Sequence, residues 1–318
     1  SGSILRWVPA SNGERHIWIP LSNIPEIIRS AFISAEDHRF YSHPGVDVLA
    51  ILRAVKSNLT KGHIVSGAST LTQQLSRLTY PRKRTYYDKL VELIRSLRIE
   101  SLLDKEQILE LYLNRVPLGN NLVGVKAGAM VYFGKSLSRL TVSEAALLAS
   151  LPKAPGKLNP YGRNAPLLFE RKNWVLKKMH INGHIGSDML NGSLKDAPIL
   201  KPKSFPFAAP HFINQVLPES RSGNYTTTID LNLQSRVEQI LKSHKFRLKR
   251  KNARQASVVI LDNENSEILS LVGSIEYSKR HQGFNNGSNA LRSPGSTLKP
   301  FLFAQALDSG FNTATILE

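Results

Sequence analysis

Residues 36–45 read Glu36-Asp37-His38-Arg39-Phe40-Tyr41-Ser42-His43-Pro44-Gly45, and the residues before them set apolar Ile24, Ile27, Ile28, Ala31 and Ala35 at helical spacing. Asn23 is the expected cap of that helix and Pro25 sits in its first turn. Two adjacent acids at the far end of a helix are electrostatically misplaced, because the macrodipole is negative there and favours cations. Such acids either reach solvent or are held for a purpose. His43-Pro44-Gly45 then forces the chain to turn. The stretch therefore predicts a helical domain with an acid presented at a helix end.

The remaining sequence says what surrounds that acid. Val48, Ile51, Leu52, Val55 and Leu59 share one face of a second helix, with Arg53, Lys56 and Lys61 on the other. Such a basic amphipathic helix suits a membrane surface, and equally a place on a core. Ser69, Thr70, Thr72, Gln73 and Gln74 are poor core residues. A helix opening on them offers amide and hydroxyl donors to an anion, or is simply capped by them. Arg77, Arg82, Lys83, Arg84 and Lys89 follow within a few turns, and such a cluster suits phosphate or pyrophosphate. The next helix is expected to bury Leu90, Leu93, Ile94 and Leu97, and Lys89 and Glu92 sit three apart on it, where an ion pair is the plain reading. Asp104 caps the following helix, and Thr141-Val142-Ser143-Glu144 is a capping box ahead of Ala145 to Ala149, which makes Glu144 structural. Lys153 lies between prolines and faces a possible site, and one more basic helix runs from about Phe169 to Met179.

Residues 182–224 are rich in Gly, Ser, Asn and Pro and read as a linker. Beyond it, Ala256 to Leu261 and Ile268 to Val272 read as a β-hairpin joined by Asp262 to Asn265. In Ser293-Pro294-Gly295-Ser296-Thr297-Leu298-Lys299-Pro300 the amine of Lys299 can lie beside the hydroxyl of Ser296, the pairing that activates a serine nucleophile.

The 318 residues allow one to three domains, and 42 basic against 24 acidic residues give a net charge of +18. That charge implies an anionic partner: a phosphorylated substrate, a membrane surface or a nucleic acid. Nucleic acid is set aside, because no interleaved aromatic platform or known module accompanies the charge. With no cysteine, thiolate chemistry and disulfides are excluded. No apolar run is long enough to span a bilayer, and Ser1-Gly2-Ser3 reads as a tag remnant, so a native anchor is expected ahead of this sequence.

Five blocks together carry a resemblance. They are Glu36-Asp37-x-x-Phe40-x-x-His43-x-Gly45, Gly67-x-Ser69-Thr70-x-Thr72-Gln73-Gln74-Leu75, Lys89-x-x-Glu92, Ile108-Leu109-Glu110-x-Tyr112-Leu113-Asn114 and Glu144 to Ala149. In this order they resemble the family 51 peptidoglycan glycosyltransferases. Thr226-Thr227-Thr228-Ile229-Asp230 and Pro294 to Pro300 extend the likeness to class A penicillin-binding proteins, with details most similar to the 1C subgroup.

The resemblance implies a mainly α fold: a lysozyme-like glycosyltransferase domain over 1–181, the linker, and an incomplete α/β, transpeptidase-like segment over 225–318. It implies an enzyme of the periplasmic face of the cytoplasmic membrane that polymerises lipid II, the GlcNAc 4-hydroxyl attacking the anomeric carbon of a glycan carried on undecaprenyl pyrophosphate. By it, Glu36 is the general base and Glu92 the second catalytic acid, with Mg2+ or Mn2+ at the substrate pyrophosphate. Substrate contacts fall on Ser69, Thr70, Gln73, Gln74, Arg77, Arg84, Lys89 and Lys153. Lipid II, the lipid-linked glycan, the membrane surface and other cell-wall synthesis proteins are the expected partners. Two departures stand out: Leu78 where many members carry Asn, and Asp88 where many carry a base, an acid near an anionic leaving group. The second segment lacks a Lys-Thr-Gly element, so no peptide cross-linking is expected of it. Two other readings remain: a non-catalytic scaffold that grips lipid-linked precursor or membrane, and a glycan hydrolase. The phosphate-suited block argues against the hydrolase.

Overall fold

The computed structural model describes residues 4–61, 69–81, 85–217, 223–279 and 282–316, with the side chains of 55–61 and of 86 left aside. The elements in chain order are β1 (Arg15–His16), α1 (Glu26–Glu36), α2 (Val48–Lys61), α3 (Leu71–Thr79), α4 (Tyr86–Leu102), α5 (Lys105–Arg115), β2 (Leu122–Val123), α6 (Val125–Gly128), α7 (Val142–Ser150), α8 (Ala165–Ile181), α9 (Ser187–Lys195), α10 (Pro210–Val216), α11 (Leu231–Arg250), β3 (Val258–Leu261), β4 (Ile268–Val272) and α12 (Lys299–Asp308). The chain divides into two units, one of Trp7–Phe205 and one of Ser1–Arg6 with Pro206–Glu318.

The larger unit is helical, apart from the two-residue parallel pair of β1 and β2. Its centre is α7, whose Ala145 to Ala149 are wholly buried, as a helix that is apolar all round must be. Against it pack α1 and α8, and α3 packs on α4 and α5. From α1 the buried Ile28, Ala31 and Phe32 enter this core, and from α5 Ile108, Leu109, Tyr112 and Leu113. Capping boxes start α3 at Thr70, α5 at Asp104 and α7 at Thr141, the last with Glu144 as read from sequence.

Three expectations are corrected. The cap of α1 is Pro25, not Asn23, because Leu21–Asn23 forms a short 3-10 turn of its own. The apolar stripe of α4 is not buried: Leu90, Ile94 and Leu97 are 55%, 58% and 43% exposed. Periodicity reveals an apolar face, not what covers it. The stretch expected as a linker, 182–224, carries α9 and α10, and the division between the units falls inside it, after Phe205. Leu190 and Leu194 of α9 pack on the main core, which orders a stretch of weak intrinsic preference.

In the smaller unit β3 and β4 form the expected antiparallel hairpin, with Val258 opposite Val272. Gln234 of α11, buried, ties the helix to β4: its Oε1 accepts from Leu271 N at 2.9 Å and its Nε2 donates to Leu271 O at 3.1 Å. No helix among the described residues is long and apolar enough to cross a membrane.

Candidate active site

Glu36 is the last residue of α1, and its carboxylate meets Gln74 of α3 and feels the charge of Arg171 of α8. Gln74 of α3 donates from Nε2 to Glu36 Oε2 at 2.8 Å. The other carboxylate oxygen, Oε1, is buried without a hydrogen-bond partner among the described residues. Burial therefore pushes the Glu36 carboxyl above its usual value of 4.5, opposed by the Gln74 hydrogen bond and then by Arg171, Lys153 and Arg77. The acid does not lie idle in solvent, as a misplaced helix-end acid otherwise would.

Asp37 does different work. Its Oδ2 accepts the Leu71 backbone N–H at 3.0 Å, and its carboxylate meets His43 Nε2 at 3.0 Å. Thr70 then donates from Oγ1 to Gly45 O at 2.6 Å. The turn Phe40–Gly45 is thus stapled to the first turn of α3, which ties the end of α1 to the start of the polar helix. This corrects the expected anion site at that helix start. Two of its first amides are already used, Leu71 N by Asp37 and Gln73 N by the Thr70 cap. The anion it holds is the protein's own carboxylate. Thr70 and Gln73 are buried, and the capping box engages Thr70 Oγ1 and Gln73 Oε1.

The cations gather elsewhere. Arg77 and Lys89 both reach Glu92, at 3.6 Å and 2.5 Å, and Lys89 donates to Ser69 Oγ at 3.0 Å. The charge of Arg77 is felt at Glu36 as well. Lys153, in a 3-10 turn after α7, faces the same carboxylate. Arg84 lies outside the described residues. Asp88 sits in the first turn of α4, where the dipole favours an acid, and its Oδ2 accepts from Thr85 Oγ1 at 2.6 Å. Leu78, the other departure, packs against the main core.

Two residues not assigned a site role from the sequence belong here. Arg171 of α8 faces Glu36, and its guanidinium lies over the Trp174 ring at 3.7 Å. Tyr112 of α5 donates to Gln74 Oε1 at 3.2 Å and is wholly buried. Arg171 was one base among several, and Tyr112, although part of a quoted block, reads as core.

A resident divalent metal does not fit these side chains. Glu92 is a single carboxylate already paired with two cations. Asp37, His43 and Asp47 bring ligand-type atoms within 4.8 Å of one another. Their oxygens, however, are engaged by Leu71 N, by Ala50 N and by the Arg39 guanidinium.

In the smaller unit Ser296 lies in a 3-10 turn, Gly295–Leu298, and Lys299 opens α12. Both are exposed, and no hydrogen bond joins them among the described residues.

A helical unit that sets a buried, half-partnered carboxylate among converging cations defines a class of enzyme site for acid–base chemistry beside an anion. The comparisons agree with that class. A family model described as Transglycosylase matches residues 1–180, and one described as Penicillin binding protein transpeptidase domain matches 256–317. The chain therefore belongs to the transglycosylase family. It is 36% identical over 307 residues to penicillin-binding protein 1C of Escherichia coli (strain K12), covering 95% of this chain and 40% of that protein. It is 40% identical over 205 residues to penicillin-binding protein 1A of Aquifex aeolicus (strain VF5), covering 64% of this chain and 28% of that one. The chain thus spans well under half the length of these relatives.

Proposed function

We propose that the chain is a peptidoglycan glycosyltransferase that polymerises lipid II at the outer face of the cytoplasmic membrane. The observation that carries this reading is Glu36 Oε1, a buried carboxylate oxygen with no hydrogen-bond partner among the described residues, in a site that feels the charges of Arg171, Lys153 and Arg77. A carboxyl with a raised pKa accepts a proton more readily than an exposed one. The acceptor's GlcNAc 4-hydroxyl gives its proton to Oε1 as its oxygen bonds to the anomeric carbon of the donor glycan. The bond from that carbon to the undecaprenyl pyrophosphate breaks, and the electron pair leaves with the phosphate oxygen.

Arg77 and Lys89 then shift from Glu92 toward the departing anion, with Ser69 and Lys153 as further donors. Glu92 keeps both cations aimed until the pyrophosphate arrives. Mg2+ or Mn2+ would come with the pyrophosphate rather than wait on the protein. The membrane reading is supported by the exposed apolar residues of α2 and α4, Leu49 and Leu52 on one and Leu90, Ile94 and Leu97 on the other.

A non-catalytic scaffold is the weaker reading. Its grounds are Asp88, an acid beside an anionic leaving group, and the incomplete second segment; the Asp88 carboxylate accepts from Thr85 at the start of α4. The test is polymer formation from lipid II in detergent, wild type beside Glu36→Gln. Loss of the base is expected to cost about 10²–10⁴-fold. A Glu36→Gln protein as fast as wild type would sink the assignment. The exposed Ser296 and Lys299 pair is read as inert toward peptide.

A further inference from the structure

We propose that Tyr112 is a positioning residue for the base: its hydroxyl fixes the Gln74 amide so that Nε2 meets one oxygen of Glu36 and the other oxygen is left for the substrate. The inference rests on the glycosyltransferase reading and adds to it the device that sets the base.

An amide's oxygen and nitrogen have nearly the same shape, so only hydrogen-bond partners decide which way it faces. Gln74 has two such partners. Glu36 Oε2 lies 2.8 Å from Nε2, and the Tyr112 hydroxyl lies 3.2 Å from Oε1. A carboxylate accepts only, whereas a protonated carboxyl can donate, so Glu36 alone would hold the amide in either orientation according to its own charge. Tyr112 breaks that tie. Burial, and next the nearby Glu36 charge, push its phenol well above 10, so it remains a donor throughout the working range. Its ring is fixed too, set edge-on against Phe32 of α1 with centroids 6.4 Å apart. Three helices therefore meet in one chain of donors, α5 to α3 to α1, which ends on the charged form of Glu36.

Remove the hydroxyl and the amide is free to turn its oxygen toward Glu36. That orientation suits only a protonated carboxyl, so the share of ionised base falls. The other charges facing Glu36 stay in place: Arg77 from α3, Lys153 after α7 and Arg171 from α8. They favour the ionised form in both proteins and do not compensate for the change.

The test is Tyr112→Phe, read in two ways. The pH profile of lipid II polymerisation should lose its acid limb at a higher pH than wild type. At neutral pH kcat should fall roughly 3–10-fold, the worth of one neutral hydrogen bond, with KM unchanged. The 13C carboxyl resonance of Glu36 in glutamate-labelled protein, identified by its absence in Glu36→Gln, should titrate at a higher pH. Gln74→Met should shift it the same way, and adding Tyr112→Phe to Gln74→Met should move it no further. A limb that coincides with wild type overturns the inference, as does a loss uniform across pH or an additive double variant. If Tyr112→Phe does not fold, an unshifted Glu36 titration in Gln74→Met overturns it alone. A wild type that makes no polymer would defeat the glycosyltransferase reading instead, while the 13C titration still decides the role of Tyr112.

Discussion

Burial holds the Glu36 carboxyl above its usual 4.5, so folding itself favours the protonated acid and opposes the charged base that proton abstraction needs. The sign follows directly. Between 4.5 and the raised native value the folded chain binds the proton that the unfolded chain has released, so stability falls as pH rises through that window and stays lower above it. Glu36→Gln is therefore expected to melt at a higher temperature than wild type at pH 8, with the difference shrinking toward pH 4, in calorimetry across pH. An equal or lower melting temperature at pH 8 would show that Gln74, Arg171, Lys153 and Arg77 already offset the burial. Glu36 was legible in the sequence as a charge in the wrong place. Arg171 was not, since nothing in Arg171-Lys172-Asn173-Trp174 says which base faces inward.

Two adjacent acids at the end of α1 divide the labour. Glu36 turns to the candidate site, and Asp37 holds the start of α3 through Leu71 N and His43. Gly45 completes the staple, and no other residue fits there. Its φ is +87°, and an added Cβ would stand 2.8 Å from Glu100 Cγ and 2.9 Å from Ser96 O. Gly45→Ala should cost about 1–3 kcal/mol from the backbone alone. Thermal melting should fall, and polymer formation with it, since the turn sets the spacing between α1 and α3. An Ala variant with unchanged melting would remove the turn from the account. The motif's letters were plain in the sequence, but their roles were not. Thr70 and Gln73 read as ligand contacts and proved to be a buried cap, because a polar run at a helix start satisfies either need with the same residues.

Across the larger unit, one side is finished and another is not. The core around α7 is closed, while Leu49, Leu52, Leu90 and Ile94 remain about 55–61% exposed. Leu90→Ser with Ile94→Ser should weaken co-sedimentation with anionic phospholipid vesicles roughly tenfold or more, with melting little changed. Vesicle binding equal to wild type would leave these residues without the proposed lipid contact. In the smaller unit, Ser296 and Lys299 are exposed and no hydrogen bond joins them among the described residues. Fluorescent penicillin is expected to leave the chain unlabelled after denaturing electrophoresis, and a labelled band at 35 kDa would refute this. By itself the sequence determined most helices of the larger unit, though not α9, the β-hairpin of the smaller one, and the acid around which the blocks are ordered. Those depend on spacing, caps and turn residues that act over a few positions. Only the tertiary structure decided which oxygen of Glu36 stays open, which cations reach it, and which apolar stripe is left uncovered. The first two are meetings of α1 with elements many tens of residues away, and the third is a face of α2 and α4, which local periodicity records without recording its neighbour.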